Sequence, residues 1–166
     1  MKHFFIARHG VYDLTGRLNK FGKHQIKALQ KAIKNILNGS SVYIITSTAP
    51  RALDSSAVLA RGLNMVGKIE GISCLWYAYD SKHYEQPVGV LDVEEIYRIV
   101  DERRNYADAL ILMAHEELRD DFAPYFSEKE FGNSSRFDFI DKGRADYFCI
   151  AEKSNRLIPE KSWLIP

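Results

Sequence analysis

Two apolar runs of strand length end on a histidine. One begins at Phe4 and halts at Arg8-His9-Gly10, and the other, Ala109-Leu110-Ile111-Leu112-Met113-Ala114, halts at His115. The second run is apolar at every position, as a central strand covered on both faces should be. A histidine directly after each run puts chemistry at the strand ends. Gly10 permits backbone conformations closed to other residues, which predicts a turn there that aims Arg8 and His9 into one crevice.

Between and after these runs, strand and helix patterns alternate. A helix is predicted from Asn19, with Ile26, Leu29, Ile33, Ile36 and Leu37 on one face and Asn38-Gly39 as its stop. Lys27, Lys31 and Lys34 fall on another face, which reads as a solvated surface. Val42-Tyr43-Ile44-Ile45 reads as a buried strand ending at Thr46-Ser47-Thr48. The helix that follows has Thr48 or Ser47 as its cap, Pro50 in its first turn and Leu53, Ala57 and Ala60 as its inner face. Arg51 lies in that first turn, where its cation opposes the helix dipole unless an anion is held between them.

Lys68 to Trp76 reads as a third strand, and Tyr77 to Gly89 as a long loop carrying Asp80, His83 and Glu85. Asp92 and Glu95 have capping-box spacing ahead of a helix that ends near Asn105. Acidic residues open a further helix after His115, with Leu118, Phe122, Tyr125 and Phe126 inward. Two late runs, Arg136 to Ile140 and Ala145 to Ala151, read as strands of a hairpin joined by residues 141–144, and Trp163-Leu164 is expected to dock on the body. The alternation predicts an α/β three-layer sandwich around a mostly parallel central sheet.

The 166 residues, 46% of them hydrophobic, suit a single domain over 1–166 with its own core. With 23 basic against 22 acidic side chains, the net charge of +1 provides no global field of the kind nucleic-acid or membrane-surface binders carry, so neither partner is expected. Cys74 and Cys149 both stand in apolar runs and read as buried free thiols, which suits a reducing compartment. The N-terminal apolar run is too short for a signal-peptide core and no stretch reaches eighteen apolar residues, so a cytoplasmic location is expected. Composition leaves the oligomeric state open.

Arg8, His9, Arg51 and His115 all fall at or just beyond predicted strand ends, where open α/β sheets place their ligands. Two guanidiniums and two imidazoles around one crevice call for an anion, and a phosphoryl group fits best. The arginines would neutralise its oxygens, His9 would attack phosphorus, and His115 would donate to an equatorial oxygen. A carboxylic acid is needed to protonate the leaving oxygen. A metal on His9 and His115 is disfavoured, because neighbouring arginines repel a cation and no two-histidine helix motif or acidic ligand cluster supports it. No metal and no cofactor is expected.

Arg8-His9-Gly10, Leu18 to Gln25 with Gly22, Ser47-Thr48-Ala49-Pro50-Arg51-Ala52 and Leu112-Met113-Ala114-His115 together resemble the histidine phosphatase superfamily, also called phosphoglycerate mutase-like. The likeness spreads over roughly residues 3 to 125 and lies in the ordered set of four segments, since an Arg-His-Gly tripeptide alone recurs by chance. It implies a metal-independent phosphoric monoester hydrolase acting on a phosphorylated small molecule or phosphoprotein, phosphohistidine included. His9 would be the phosphorylated nucleophile and Arg8, Arg51 and His115 the phosphate pocket. Many members carry a phosphate-binding asparagine where this chain has Thr15, which is expected to donate one hydrogen bond to the phosphate in its stead. The family's smaller branch takes its acid from a glutamate downstream of the second arginine, where Asp80 is the nearest carboxylate and Glu85 lies further on. Another branch uses the residue directly after the second histidine, here Glu116. Asp80 is favoured over Glu116, whose charge also suits a first helical turn. The alternatives are a non-catalytic phosphate-binding or protein-interaction member of the same fold and, below it, a phosphomutase.

Overall fold

The computed structural model describes residues 1–75, 92–133, 137 and 140–159. Its elements run β1 (His3–Arg8), α1 (Lys20–Leu37), β2 (Ser41–Ser47), α2 (Pro50–Ala60), β3 (Asn64–Met65), β4 (Glu70–Ile72), a 3-10 turn (Ser73–Leu75), α3 (Val93–Glu102), β5 (Ala109–Ala114), α4 (Glu116–Phe131), β6 (Ala145–Cys149) and β7 (Ser154–Ile158). The sheet order is β3-β2-β5-β1-β6-β7, with β4 also pairing with β2. β1, β2, β3, β4 and β5 pair in parallel, while β6 and β7 run antiparallel to their neighbours. The fold is the expected α/β sandwich with a mostly parallel centre.

The period-2 alternation of the strands sorts side chains between two helical layers. Phe5, Ala7, Val42, Ile44, Ile111 and Met113 pack with Ile26, Leu29, Ile33 and Leu37 of α1 and Ala52 and Leu59 of α2. Phe4, Ile6, Ile45, Leu110, Leu112 and Phe148 pack with Ile96, Ile99 and Val100 of α3 and Leu118, Phe122 and Phe126 of α4. α1 is capped by the Asn19 side chain, which accepts from the Gly22 N–H, and it stops at Asn38 in the left-handed region with φ 44°.

Register decides where the chemistry comes out. β1 and β5 are parallel neighbours with Arg8 opposite Ala114, and β2 lies on the other side of β5 with Thr46 opposite Met113. His9, His115 and the start of α2 therefore emerge together at the carboxyl ends of the central parallel strands.

Four expectations are corrected. α2 turns Ala52, Ser55, Ser56 and Leu59 inward, leaving Leu53 exposed. Ser55 tolerates burial because its hydroxyl donates to the Arg51 carbonyl one turn back. Neither Thr48 nor Ser47 is the N-cap: that position is Ala49, with no side-chain cap, although Ser47 Oγ accepts from the Ala49 N–H at 3.2 Å. Of the strand expected over Lys68 to Trp76, only Glu70–Ile72 is strand (β4), followed by the 3-10 turn, with Trp76 outside the described residues; Cys74 in that turn is exposed while Cys149 is buried. The antiparallel hairpin is β6 with β7; of the strand expected over Arg136 to Ile140, Phe137 and Ile140 lie in no strand and residues 136, 138 and 139 lie outside the described residues, as does Trp163-Leu164.

One buried ion pair ties α4 to the sheet. Arg119 donates from Nε to Asp146 Oδ2 at 2.5 Å and from Nη2 to Oδ1 at 3.2 Å, with both residues buried. Among the described residues, Asp146→Ala leaves that guanidinium with only the exposed Asp120 at 3.0 Å as a carboxylate partner. The substitution is expected to cost about 3–5 kcal/mol in urea unfolding, while Arg119→Met with Asp146→Leu recovers most of the loss. A single variant as stable as the wild type contradicts this.

Candidate active site

The end of β1 is held by backbone bonds on both sides. His9 N–H donates to the Ala114 carbonyl of β5 at 3.1 Å, and Arg8 N–H to the Arg144 carbonyl at 2.9 Å. Gly143 N–H is shared between the carbonyls of Arg8 and His9, at 3.1 Å to each. Gly143 has φ +79°, and a Cβ there would lie 2.5 Å from Gln25 Cβ, so this turn requires glycine.

Gly10 serves a purpose other than the one expected. It does not adopt a positive φ. A Cβ on Gly10 would sit 2.7 Å from the Gly22 carbonyl oxygen, and one on Gly22 would sit 2.0 Å from that of Val11. The two glycines let the first turn of α1 close directly on the strand end, and Val11 N–H completes the seam by donating to Gln25 Oε1 at 2.9 Å.

His9 and His115 are both buried, with ring centroids 5.0 Å apart. His9 Nδ1 lies 2.8 Å from the Gly10 carbonyl oxygen, and Arg51 Nε lies 3.1 Å from His9 Nε2. A carbonyl only accepts and a guanidinium only donates, so Nδ1 carries the proton and Nε2 a free lone pair. The same logic applies to His115: Arg51 Nη2 lies 3.4 Å from Nδ1 and Ser47 Oγ lies 3.0 Å from Nε2, which assigns the proton to Nε2. Arg51 thus spans both rings.

Burial, opposed by the Gly10 hydrogen bond and reinforced by the Arg51, Arg8 and Lys142 cations, brings the His9 imidazole down to about 3. Burial followed by His9, Arg51 and Arg8 holds His115 well below the usual imidazole range. Both rings are neutral at neutral pH.

Arg8 donates from Nη1 to the Ile140 carbonyl at 2.7 Å and pairs through Nη2 with Glu116 Oε2 at 2.7 Å. Glu116 opens α4 beside His115, and burial raises its carboxyl above the usual range despite the opposing Arg8 charge. The structure therefore brings Arg8, His9, Arg51, His115 and Glu116 together. It does not bring in Thr15, whose exposed hydroxyl donates to Asp13 Oδ1 at 2.6 Å and closes a local turn. Asp80 and Glu85 lie outside the described residues.

Sequence reasoning missed two residues here. Tyr12 stacks edge-on to His9 with centroids 5.4 Å apart and lies under Arg51 Cζ at 4.8 Å; Lys142 Nζ lies 4.6 Å from the same ring centre. Neither belongs to an apolar pattern, and only the fold of residues 141–144 against β1 brings the lysine in. Among the described residues no group of three histidine, cysteine, aspartate or glutamate side chains could hold a metal ion. No helix of the described chain is long and apolar enough to cross a membrane. A separate cleft of about 600 Å³ between α1 and α2 is lined by Arg17, Lys23, Lys27 and Arg61 with Asp13 and Asp54, and none of the residues gathered around Arg51 reaches it.

No family profile and no curated protein matches the sequence. Solved structures do. The protein histidine phosphatase SixA in complex with tungstate aligns over 93% of this chain and 93% of its own, with TM-score 0.63 and 14% identity. The fold is that of the histidine phosphatases. Mycobacterial glucosyl-3-phosphoglycerate phosphatase aligns over 95% of this chain and 97% of its own, with TM-score 0.62 and 14% identity. Phosphoglycerate mutase from Plasmodium falciparum aligns over 98% and 97%, with TM-score 0.53 and 17% identity. At these identities the histidine phosphatase likeness is one of architecture, and the chemistry has to be argued from this chain's own residues.

The neutral rings have a consequence for stability. An unfolded histidine takes up its proton near 6.5, whereas native His9 does so near 3 and His115 well below 6.5. In that window the unfolded state binds more protons, so stability falls as the pH is lowered through it and is insensitive to these two groups above it. Stability by urea unfolding is expected to rise from pH 5 to 6.5, with His115→Gln flattening the slope. A slope that the substitution leaves unchanged contradicts burial of the neutral ring.

Proposed function

We propose that this protein is a metal-independent phosphoric monoester hydrolase that works through a phosphohistidine on His9. The observation that carries the reading is the position of Arg51, which donates to His9 Nε2 and lies within 3.4 Å of His115 Nδ1. A phosphoryl group placed there meets the guanidinium and the nucleophilic lone pair together.

In this account Arg51 and Arg8 take phosphoryl oxygens as acceptors, and Arg51 Nε–H leaves His9 Nε2 for one of them. The freed lone pair attacks phosphorus in line with the leaving oxygen, forming the P–N bond as the P–O bond breaks. His115 presents a lone pair through Nδ1, so it must gain a proton to donate to the phosphoryl group. An arriving dianion favours that gain by offsetting the arginine charges. Among the described residues Glu116 is our candidate acid, with the expected Asp80 outside them: burial raises its carboxyl, and loss of Arg8 to the phosphate would raise it further. Its proton goes to the leaving oxygen. The resulting carboxylate then takes a proton from water as that water attacks phosphorus, the P–N bond breaks, and Nε2 recovers its electron pair.

The substrate is a phosphorylated small molecule or a phosphoprotein, phosphohistidine included, and two free cysteines suit the cytoplasm expected for it. The second reading, a non-catalytic phosphate binder, is favoured by one observation: Thr15, at the place of the family's asparagine, is engaged with Asp13. Hydrolysis of an aryl and an alkyl phosphate separates the two. Turnover is expected with both, His9→Ala abolishing it. Glu116→Gln is expected to slow the alkyl ester by about 10²–10⁴-fold and the aryl ester, whose leaving group needs little protonation, far less. Phosphate binding with no turnover selects the binder, and a Glu116→Gln effect that ignores the leaving group moves the acid elsewhere.

A further inference from the structure

Lys142 stands at this site and takes no part in the steps above. The chain on either side of it is bound to the end of β1, through Gly143 N–H to the Arg8 and His9 carbonyls and through Arg8 N–H to the Arg144 carbonyl. Glycine is required at 143 both by φ +79° and by the approach to Gln25. The lysine is therefore held over the site by its backbone.

The environment of its ammonium is unfavourable. Lys142 is half-buried, and burial, Arg8 and Arg51 all disfavour its charge, with Glu116 alone among the contributing groups opposing them. Glu116 is already paired with Arg8. Among the described residues the Lys142 ammonium has no carboxylate partner and no hydrogen-bond acceptor, only the face of Tyr12 at 4.6 Å. A half-buried cation set among other cations costs stability unless it meets an anion.

Position indicates which anion. Arg8, His9, Arg51 and His115 already surround the place of the transferred phosphoryl group. Lys142 approaches across the face of Tyr12, a residue 37% exposed that also carries Arg51, and so lies on the solvent-facing side of the cluster, away from the buried imidazoles. We propose that the Lys142 ammonium, over the Tyr12 ring, binds a second anionic group, a carboxylate or a phosphate, on the leaving-group side of the substrate. This makes Lys142 a specificity residue and names the preferred substrates as phosphoesters with a neighbouring negative charge. It rests on the reading of the site as a phosphoryl pocket, but not on turnover.

The test measures binding in a His9→Ala background, where no phosphoenzyme forms, by calorimetry with phosphoglycolate and with ethyl phosphate. Phosphoglycolate carries a carboxylate beside its phosphate, and ethyl phosphate does not. Phosphoglycolate is expected to bind roughly tenfold more tightly, the scale of one charge-assisted hydrogen bond. Lys142→Met should remove that advantage while leaving ethyl phosphate within about twofold, and Lys142→Arg should keep most of it. Equal weakening of both ligands would place Lys142 in the phosphoryl pocket and overturn the proposal, as would no change in either. Discrimination between the ligands by a protein that hydrolyses nothing sinks the phosphatase reading alone; failure to bind either ligand sinks both.

Discussion

The site depends on the backbone bonds that fix the last residues of β1. His9 is held by Ala114 of β5 on one side, and the carbonyls of Arg8 and His9 share the Gly143 N–H on the other. Because β1 and β5 are parallel and in register, pinning one strand end also places His115 beside His9. The two glycines at positions 10 and 22 then let α1 close on that end without a side chain between them. Strand register and close backbone packing thus do the orienting, before any side chain of the pocket touches another.

Electrostatics follows from that burial. Two imidazoles held out of water beside guanidiniums stay neutral, which keeps a lone pair on His9 Nε2. The same burial acts oppositely on the neighbouring carboxyl, favouring the protonated form of Glu116. A neutral base and an acid inclined to keep its proton are set within one cluster by the same low-dielectric surroundings, the separation of roles that acid–base chemistry needs. The cost appears as lower stability toward acid and as a guanidinium, that of Arg8, held in place by Glu116 and the Ile140 carbonyl.

The central part of this architecture was legible in the sequence because its signals are local. Apolar runs read as strands, Asn19 and Asp92 cap helices with their side chains, and Asn38-Gly39 ends α1. Arg8, His9, Arg51 and His115 could be grouped because each stands next to a strand end. What escaped notice depends on contacts across the fold. The inner face of α2 is set by packing on the sheet, and its small residues leave several rotations equally plausible from pattern alone. β7 is a strand with little apolar alternation, Ser154-Asn155-Arg156-Leu157-Ile158, recognisable only by its pairing with β6. Lys142 looked like a turn residue, and it reaches the pocket only because Gly143 fastens that turn to β1.

The central claim is that Arg51 joins two neutral imidazoles around a single oxyanion site. Long-range proton–nitrogen NMR of the histidine rings tests it most directly, titrated from pH 7.5 to 5 and then with orthovanadate. The account predicts that His9 stays neutral with its proton on Nδ1 and His115 neutral with its proton on Nε2 throughout that range, and that vanadate shifts both rings together with one affinity. Imidazoles that titrate near their ordinary pKa, or a vanadate response confined to one ring, would contradict it.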